Sequence, residues 1–303
     1  MKINKLYILA VMLVVMVFHS CEMNDPMASE QYRKEVYIIG SYDNVLRFDL
    51  PYGDNQDAFI SLAISGSLKT DNEVKVDLKP NNESINWYNT KYMLDAPVKY
   101  QQLKEEYINI PSWSTTIKAG DIYAHLPFTI NSTNLHCDSL YALSFAIASV
   151  SDYMISERDT TLILTLNMTN DFSGTYQMEA AKTNLSENEG GGWSEIGLAV
   201  PVSTQRTLTA VSAYTVRFFH EKQKEKLEEY ANSWNPGEDY FNAIHRHCIN
   251  FGRIGDSNLF TVEPWGTMAV IEGEAEYKND TFTFWYDYME NGTRQRMKGV
   301  FKK

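Results

Sequence analysis

Alternating apolar and polar positions dominate the chain from about residue 34 onward. Every second residue is apolar between Ile122 and Ile130, and again between Leu162 and Met168. A period of two is typical of strands that turn one face toward a core. Turn-forming clusters separate these runs from several shorter apolar runs, and no helical pattern lies between them. The pattern therefore predicts a β-sandwich over residues 34–170.

A second β-domain is predicted over residues 171–303, after a polar break at residues 169–173. Its clearest element is a hairpin at the C-terminus. The dipeptide Asn291-Gly292 tolerates the positive φ angles of a type I′ turn. We therefore expect an antiparallel meander or partial barrel that this hairpin closes. Four aromatic residues share one face of the first strand of the hairpin: Phe282, Phe284, Tyr286 and Tyr288.

One short helix is predicted in this second domain, over residues 221–234. Its apolar residues follow the i, i+3, i+4, i+7 spacing of an amphipathic helix. Asn235-Pro236-Gly237 is expected to end it. Trp234 completes the apolar stripe, so its ring is predicted to face the body of the domain. The stripe consists of Leu227, Tyr230, Ala231 and Trp234.

The N-terminus carries the pattern of a secretory leader. Two lysines precede an apolar run from Leu6 to Phe18, which is too short to span a bilayer comfortably. Cys21 follows directly, and this arrangement resembles a bacterial lipoprotein signal, in which the cysteine is lipidated and residues 1–20 are removed. Acidic residues after Cys21 resemble the Bacteroidetes signal for export to the cell surface. Residues 21–33 are expected to form a flexible tether.

Net charge and composition narrow the range of partners. The formal net charge is −12 at pH 7, so nucleic acid is not an expected partner. Anionic lipid would also be repelled, so contact with a membrane should come through the lipid anchor only. Aromatic residues make up 13% of the chain, a richness that suits both β-structure and ring stacking on sugars.

Short segments along the chain resemble a known group of proteins. Residues 69–78, 116–121 and 140–150 resemble segments of the N-terminal Ig-like domain of unknown function in lipoproteins of Bacteroidetes polysaccharide-utilisation loci, although Ser144 replaces a usual proline. The opening at Phe172–Tyr176 and the closing hairpin resemble the C-terminal β-domain, also of unknown function, that accompanies it. The resemblance implies an all-β protein with an Ig-like sandwich and a second β-domain. It also implies a glycan-related surface lipoprotein, and Sus-type outer-membrane transporters as partners.

The sequence contains no motif that marks an enzyme or a cofactor site. The nucleophile elbow, the P-loop and the dinucleotide-binding glycine motif are all absent. His245 and His247 would share one face of a strand, but a zinc site needs further ligands, so no metal site is assigned. Cys137 and Cys248 lie in different predicted domains, and whether they pair is left open. We expect no catalytic residue, no metal and no cofactor.

Three tryptophans are the candidate ligand-binding residues. Trp193 follows the glycine-rich segment Gly190–Gly192, which favours an exposed ring. Trp87 lies in a polar setting that also favours exposure. Trp113 is the third candidate, with packing at the sandwich edge as the alternative.

Three functional hypotheses from different classes follow. The first is a lipoprotein, anchored to the outer membrane through Cys21 and facing the exterior, that binds a polysaccharide or oligosaccharide for capture and import. The second is a structural or assembly subunit that docks on an outer-membrane transporter or a fibre. The third, a glycan hydrolase, has the least support, because no carboxylate pair stands out in the sequence.

Overall fold

The computed structural model describes residues 29–41 and 45–303 of the chain. The predicted leader, Cys21 and the tether up to residue 28 lie outside the described residues. The prediction of an all-β protein is confirmed, because an Ig-like β-sandwich is followed by a second, antiparallel β-domain. No helix within the described part has the length and apolar character needed to cross a bilayer.

Two sheets form the N-terminal sandwich. The first has the strand order β10-β1-β3-β8-β6 and consists of β1 (Glu35–Ile38), β3 (Gln56–Ile64), β6 (Ile108–Asn109), β8 (Tyr123–Ile130) and β10 (Met154–Ile155). The second has the order β2-β11-β9-β4-β7, with β5 beside β9, and consists of β2 (Val45–Pro51), β4 (Val74–Pro80), β5 (Tyr100–Gln102), β7 (Ser114–Ile117), β9 (Leu140–Val150) and β11 (Thr161–Thr169). Alternate residues of β8, including Leu126 and Phe128, enter the core between the sheets, as the period of two requires.

A helix that the sequence did not predict covers the outer face of the second sheet. This helix, α1 (Asn82–Tyr92), packs its buried residue Ile85 against Ala142 and Ile163. It buries a single residue, so its apolar periodicity is faint. The helix also explains why β11 is buried on both faces rather than on alternate positions. The side chain of Asn89 accepts a hydrogen bond from the backbone N–H of Tyr100 and donates one to its carbonyl.

The C-terminal domain is a closed eight-stranded barrel. Each strand pairs with the next, and the last returns to the first. The predicted type I′ turn is present, because Asn291 and Gly292 have φ angles of 51° and 77°. The predicted aromatic face of β18 fills the barrel core. The strands are β12 (Gly174–Glu187), β13 (Trp193–Ser212), β14 (Thr215–Phe219), β15 (Cys248–Arg253), β16 (Leu259–Pro264), β17 (Val270–Lys278), β18 (Thr281–Glu290) and β19 (Thr293–Lys302).

The helical segment between β14 and β15 differs from the prediction. Residues 222–225 form a 3-10 turn, α2 (Glu228–Ala231) has one turn, and the longest helix, α3 (Pro236–His247), begins where we predicted an end. Proline suits a first helical position, because the N–H that it lacks has no partner there. The prediction that the ring of Trp234 faces the body of the domain is wrong. Trp234 is 102% exposed, because the interrupted helix leaves no continuous apolar stripe.

Two histidines that we placed on a strand lie in the last turn of α3. His245 and His247 are two positions apart, which puts them on different faces of a helix. His247 lies 3.1 Å from Glu221, measured from Nδ1 to Oε1, and the Nδ1 atom of His245 lies 3.4 Å from the hydroxyl of Thr267. They therefore do not form the paired ligands that a strand would have produced.

A buried ion pair joins the two domains. Arg217 on β14 donates to both carboxylate oxygens of Asp138 in the sandwich, and the side chains are 4% and 5% exposed. The guanidinium also lies 4.8 Å from the ring centre of Trp265.

Cys137 and Cys248 are free thiols. Burial raises the pKa of Cys137 to about 11 and that of Cys248 to about 12.

Candidate functional site

A groove of about 860 Å³ crosses the outer surface of the barrel. Strands β17, β18, β19 and β12 form its floor, and parts of β13 and β16 form its sides. Its polar and aromatic lining includes Glu179, Glu195, Glu274, Glu276, Trp285 and Lys298. This groove is larger than two other cavities of the described residues, of about 350 Å³ each, and it combines an aromatic ring with several charged side chains. It is therefore the candidate functional site.

Strand alternation places Trp285 in the groove. On β18 the residues Phe284 and Tyr286 point into the barrel core, so Trp285 between them points outward. In the pairing register, Trp285 lies between Glu274 on β17 and Lys298 on β19. The ring is half-buried, flanked on one side by a carboxylate and on the other by an amine.

Thr283 forms a second row of the groove floor, one step along β18. It is exposed and lies in register between Glu276 on β17 and Val300 on β19. A hydroxyl and a carboxylate next to an aromatic ring can exchange hydrogen bonds with a ligand that stacks on the ring. The two rows together give the floor both stacking and hydrogen-bonding capacity.

The hairpin between β12 and β13 forms one wall of the groove. The amine of Lys298 lies 2.7 Å from the carboxylate of Glu195, which joins the hairpin to β19. At the same wall, the guanidinium of Arg294 lies 4.6 Å from the ring centre of Trp193. The hairpin therefore bends over the outer face of β19 and brings Trp193 to the edge of the groove.

A buried carboxylate, Asp287, connects the two tryptophans of this face. It is 0% exposed and accepts hydrogen bonds from the guanidinium groups of Arg294 and Arg296. Arg296 stacks on Trp285 at 4.6 Å, as Arg294 does on Trp193. Hydrogen bonding to Asp287 is the main cause that raises the pKa of Arg296. One carboxylate thus fixes two guanidinium groups, and each of these covers one side of a tryptophan.

None of the three predicted tryptophans is among the residues that line the groove. Trp193 is 38% exposed, and its contact with Arg294 connects it through Asp287 to Arg296 of the groove. Trp87 is 46% exposed on α1 of the other domain, with the amine of Lys91 at 4.7 Å from its ring centre. Trp113 packs on Phe145 of the sandwich core, with ring centres 5.8 Å apart, and lines a separate cavity of about 350 Å³.

Sequence reasoning missed Trp285, although the sequence contains a signal for it. The aromatic residues of β18 alternate from Phe282 to Tyr288, and Trp285 falls between them on the polar face. A large ring on the solvent side of an amphipathic strand is unusual, because such positions are normally polar. That departure from the alternation marks the site.

One group of side chains in the described residues has the composition of a metal site. The ligand atoms of His136, Cys137 and Asp138 all lie within 4.8 Å of one another. Both oxygens of Asp138 are already bound by Arg217, and burial raises the pKa of Cys137. A cation would therefore meet a guanidinium and a protonated thiol, so we assign no metal to this group.

Two family models match the chain in tandem. One describes an N-terminal domain and matches residues 32–154, and the other describes a C-terminal domain and matches residues 160–302. The two models together span both domains of the chain, in the order in which the domains follow each other. No curated protein sequence matches it at a significant level.

Solved structures from Bacteroides share the fold over most of the chain, including both domains. A protein of unknown function from Bacteroides ovatus is 16% identical, with a TM-score of 0.59 over 88% of this chain and 93% of that chain. Another from the same organism is also 16% identical, with a TM-score of 0.54 over 88% and 90%. An auxiliary nutrient binding protein from Bacteroides thetaiotaomicron is 14% identical, with a TM-score of 0.53 over 85% and 90%. At these identities the likeness is one of fold alone.

Proposed function

We propose that the protein binds a glycan in the groove around Trp285. The observation that carries the proposal is the position of Trp285 on the groove floor, half-buried between Glu274 and Lys298. Sugar rings present C–H faces that stack on an aromatic ring, and their hydroxyls exchange hydrogen bonds with carboxylates and amines. Trp193, which is connected to the groove through Arg294 and Asp287, offers a second partly exposed ring for an extended chain of sugars. The name of the nutrient-binding relative agrees with this proposal.

Alanine substitutions of three tryptophans test the proposal. Stacking of a nucleic-acid base on an aromatic ring contributes about 1–3 kcal/mol, and a sugar on tryptophan should contribute a similar or somewhat smaller amount. Trp285→Ala is therefore expected to weaken glycan binding by about tenfold, and Trp193→Ala by about threefold to tenfold. Trp234→Ala is the matched control, since Trp234 is fully exposed and outside the groove.

The measurement is affinity electrophoresis through a panel of polysaccharides, followed by calorimetry with a glycan that retards the protein. The panel includes galactomannan, xyloglucan, a mixed-linkage β-glucan and polygalacturonate. Equal binding by Trp285→Ala and Trp234→Ala, or no retardation by any member of the panel, would contradict a glycan site in this groove.

We propose binding rather than hydrolysis. Glu195 is paired with Lys298, and Glu179 is paired with Lys302 at 2.5 Å, so two of the four groove carboxylates already serve ion pairs. A glycosidase needs two carboxyl groups that flank the bond it cuts, whereas the two unpaired carboxylates, Glu274 and Glu276, project side by side from one strand. Incubation of the protein with the bound glycan, followed by a reducing-end assay, tests this part. If new reducing ends appear with the wild type and not with Glu274→Gln, the protein is a hydrolase and the proposal of binding alone is wrong.

The location that we propose is the outer membrane, with a lipid on Cys21 as the anchor and the body facing the exterior. The support is the leader pattern and the cysteine that follows it directly. Cys21→Ser is expected to abolish palmitate labelling and to move the protein from the membrane fraction to the soluble fraction. Cys137→Ser is the control and should change neither. Labelling that persists in Cys21→Ser would refute the anchor.

A second candidate function is docking on an outer-membrane transporter of the Sus type. The observation that favours it is the hairpin segment of β13, where Ile196, Leu198 and Val200 are 48%, 93% and 57% exposed. The described pairing of β13 with β14 begins only at Thr209, so this segment also has a free edge. If docking uses it, Leu198→Lys will abolish co-purification of the transporter from detergent extracts. Glycan binding by the isolated protein should persist in that variant.

A further inference from the structure

The charges that line the groove are unequal. Four carboxylates face it, from Glu179, Glu195, Glu274 and Glu276, against the two cations Arg296 and Lys298. An excess of one sign in a concave site focuses the field on the ligand that enters it. The identity of the unpaired groups therefore decides which glycans the groove accepts.

Each cation of the groove already has a carboxylate partner. Arg296 donates two hydrogen bonds to Asp287, at 2.6 and 3.0 Å. Lys298 lies 2.7 Å from Glu195. At the rim, Lys302 is paired with Glu179. An acidic sugar entering the groove would have to break one of these pairs to obtain a cation of its own.

The two remaining carboxylates, Glu274 and Glu276, have no ion-pair partner among the described residues. They stand two positions apart on β17, so both project from the same outer face of the barrel. In register they flank Trp285 and Thr283 on the groove floor. Both are exposed, and they project from β17, the strand of the groove floor that lies farthest from the β12–β13 hairpin. A ligand stacked on Trp285 therefore lies beside two uncompensated negative charges.

We infer that the groove selects glycans that carry no carboxylate or sulfate groups and rejects acidic ones. This inference rests on the proposed function of the groove. Glu274 and Glu276 accept hydrogen bonds from the hydroxyls of a neutral sugar, whereas they repel a uronic acid or a sulfate. Each repulsion acts across water-exposed distances of about 5–10 Å, so it is moderate in size and weakens with salt.

Replacement of the two unpaired carboxylates tests the inference. In the double variant Glu274→Gln with Glu276→Gln, affinity for polygalacturonate should rise by about fivefold at low ionic strength, and the gain should shrink at 0.5 M salt. Affinity for the neutral glycan should fall by about threefold, because a neutral amide oxygen accepts a weaker hydrogen bond than a carboxylate does. The affinities for the two kinds of glycan should therefore change in opposite directions. The matched control, Glu228→Gln with Glu229→Gln, removes the same charge from exposed positions on α2.

Methyl-esterified and de-esterified polygalacturonate serve as paired probes, because they share one backbone and differ in charge. The wild type should prefer the esterified polymer. A wild type that prefers the acidic polymer, or a control variant that gains as much as the groove variant, would overturn the selectivity. Failure of the proposed function looks different: Trp285→Ala would then leave the binding of every probe unchanged.

Discussion

Asp287 is a completely buried carboxylate that two arginines bind at the same time. Arg294 and Arg296 both donate to it, and each stacks on a tryptophan of the groove face. A carboxylate without exposure is retained in a protein only when its hydrogen bonds compensate for the water that it loses. In the proposed glycan site, Asp287 would therefore act on the ligand through other residues, as a positioning residue for the two rings.

Asp287→Asn should lower both stability and binding. The substitution leaves two guanidinium groups without their buried counter-charge, which costs about 3–5 kcal/mol in comparable buried pairs. Urea unfolding measures the loss, and tryptophan fluorescence should shift to longer wavelength as the arginines release the rings. Asp49→Asn is the control, because Asp49 pairs with Arg47 on the surface and both side chains are about two-thirds exposed, at 65% and 69%. Its cost should be below about 1 kcal/mol.

A reduced affinity that appears in Asp287→Asn without any fluorescence shift would contradict the positioning role. The arginines would then contribute to binding by charge alone.

The lowered pKa of His220 should make the stability of the barrel depend on pH. It follows the end of β14 and packs against the rings of Tyr286 and Tyr288; its Nδ1 is 2.9 Å from the hydroxyl of Tyr286, and burial lowers its pKa from 6.5 to about 4. The folded state therefore favours the neutral ring, and the unfolded chain binds the proton more readily. This contribution is fully present above about pH 6.5 and is lost as the pH falls toward 4, up to about 3 kcal/mol.

Urea unfolding of the wild type at pH 7 and at pH 4.5 measures this dependence. His220→Gln keeps an acceptor for the hydroxyl of Tyr286 and removes the titration, so part of the pH dependence should disappear. The exposed His125 provides the control variant, His125→Gln, which should retain it. An identical pH dependence in all three proteins would show that His220 does not titrate in this range.

The β12–β13 hairpin is the element that converts a barrel surface into a groove. Its strands pair as far as Glu187 with Trp193, whereas the ladder between β12 and β19 ends at Asn184. The excess length is what allows the hairpin to bend over β19. The barrel closes without that excess, so the hairpin serves the groove rather than the fold.

Shortening the hairpin should separate binding from stability. Residues 186–194 can be replaced by Asn-Gly, which joins Leu185 to its partner Glu195 through a two-residue turn. Glycan binding should fall by about tenfold, because Trp193 is removed and the wall is lowered. The melting temperature should change by only a few degrees, since these residues lie outside the barrel core. A large loss of melting temperature would show that the hairpin supports the barrel.

Two helices, α1 and α3, show where local sequence patterns fail to predict an element. The hairpin at Asn291-Gly292 was predictable, because its turn type follows from two residues. Helix α3 was not predictable in this way, because a proline such as Pro236 can follow the end of one helix or occupy the first position of another. Helix α1 carries one buried residue, so no apolar period announces it. In each failure the deciding contacts come from other parts of the chain.

The same distinction applies to the groove. Trp193 was a candidate because its glycine neighbours favour exposure. Its partners Arg294 and Asp287 are about a hundred residues away in sequence, and the barrel closure brings them together. Trp285 was detectable only as an exception to the alternation of β18. The composition of the site was therefore partly visible in the sequence, whereas its assembly depends on a register that no local pattern specifies.

The two domains are joined by an ion pair with almost no access to water. Arg217 and Asp138 satisfy each other, and the guanidinium also stacks on Trp265. Removal of one partner leaves the other as an unpaired buried charge, which costs about 3–5 kcal/mol. The unfolding of the sandwich and the barrel should therefore be coupled through this contact.

Asp138→Asn is expected to split the unfolding of the protein into two transitions. Differential scanning calorimetry of the wild type should show one transition, and the variant should show two as the domains melt separately. The double variant Arg217→Met with Asp138→Leu removes both charges and should recover part of the lost stability. A single transition in Asp138→Asn at an unchanged temperature would contradict the coupling.

Closure of the barrel also determines how far the groove reaches from the rest of the protein. Gln177 near the start of β12 pairs with Lys302 near the end of β19. The first strand of the barrel therefore begins at the same end of the barrel at which the last strand stops. The hairpin tip with Trp193 lies at the opposite end of β12, which has 14 residues and is about 45 Å long at the usual rise of a strand. The hairpin tip is therefore the part of β12 and β13 that lies farthest along these strands from the point where the chain enters the barrel.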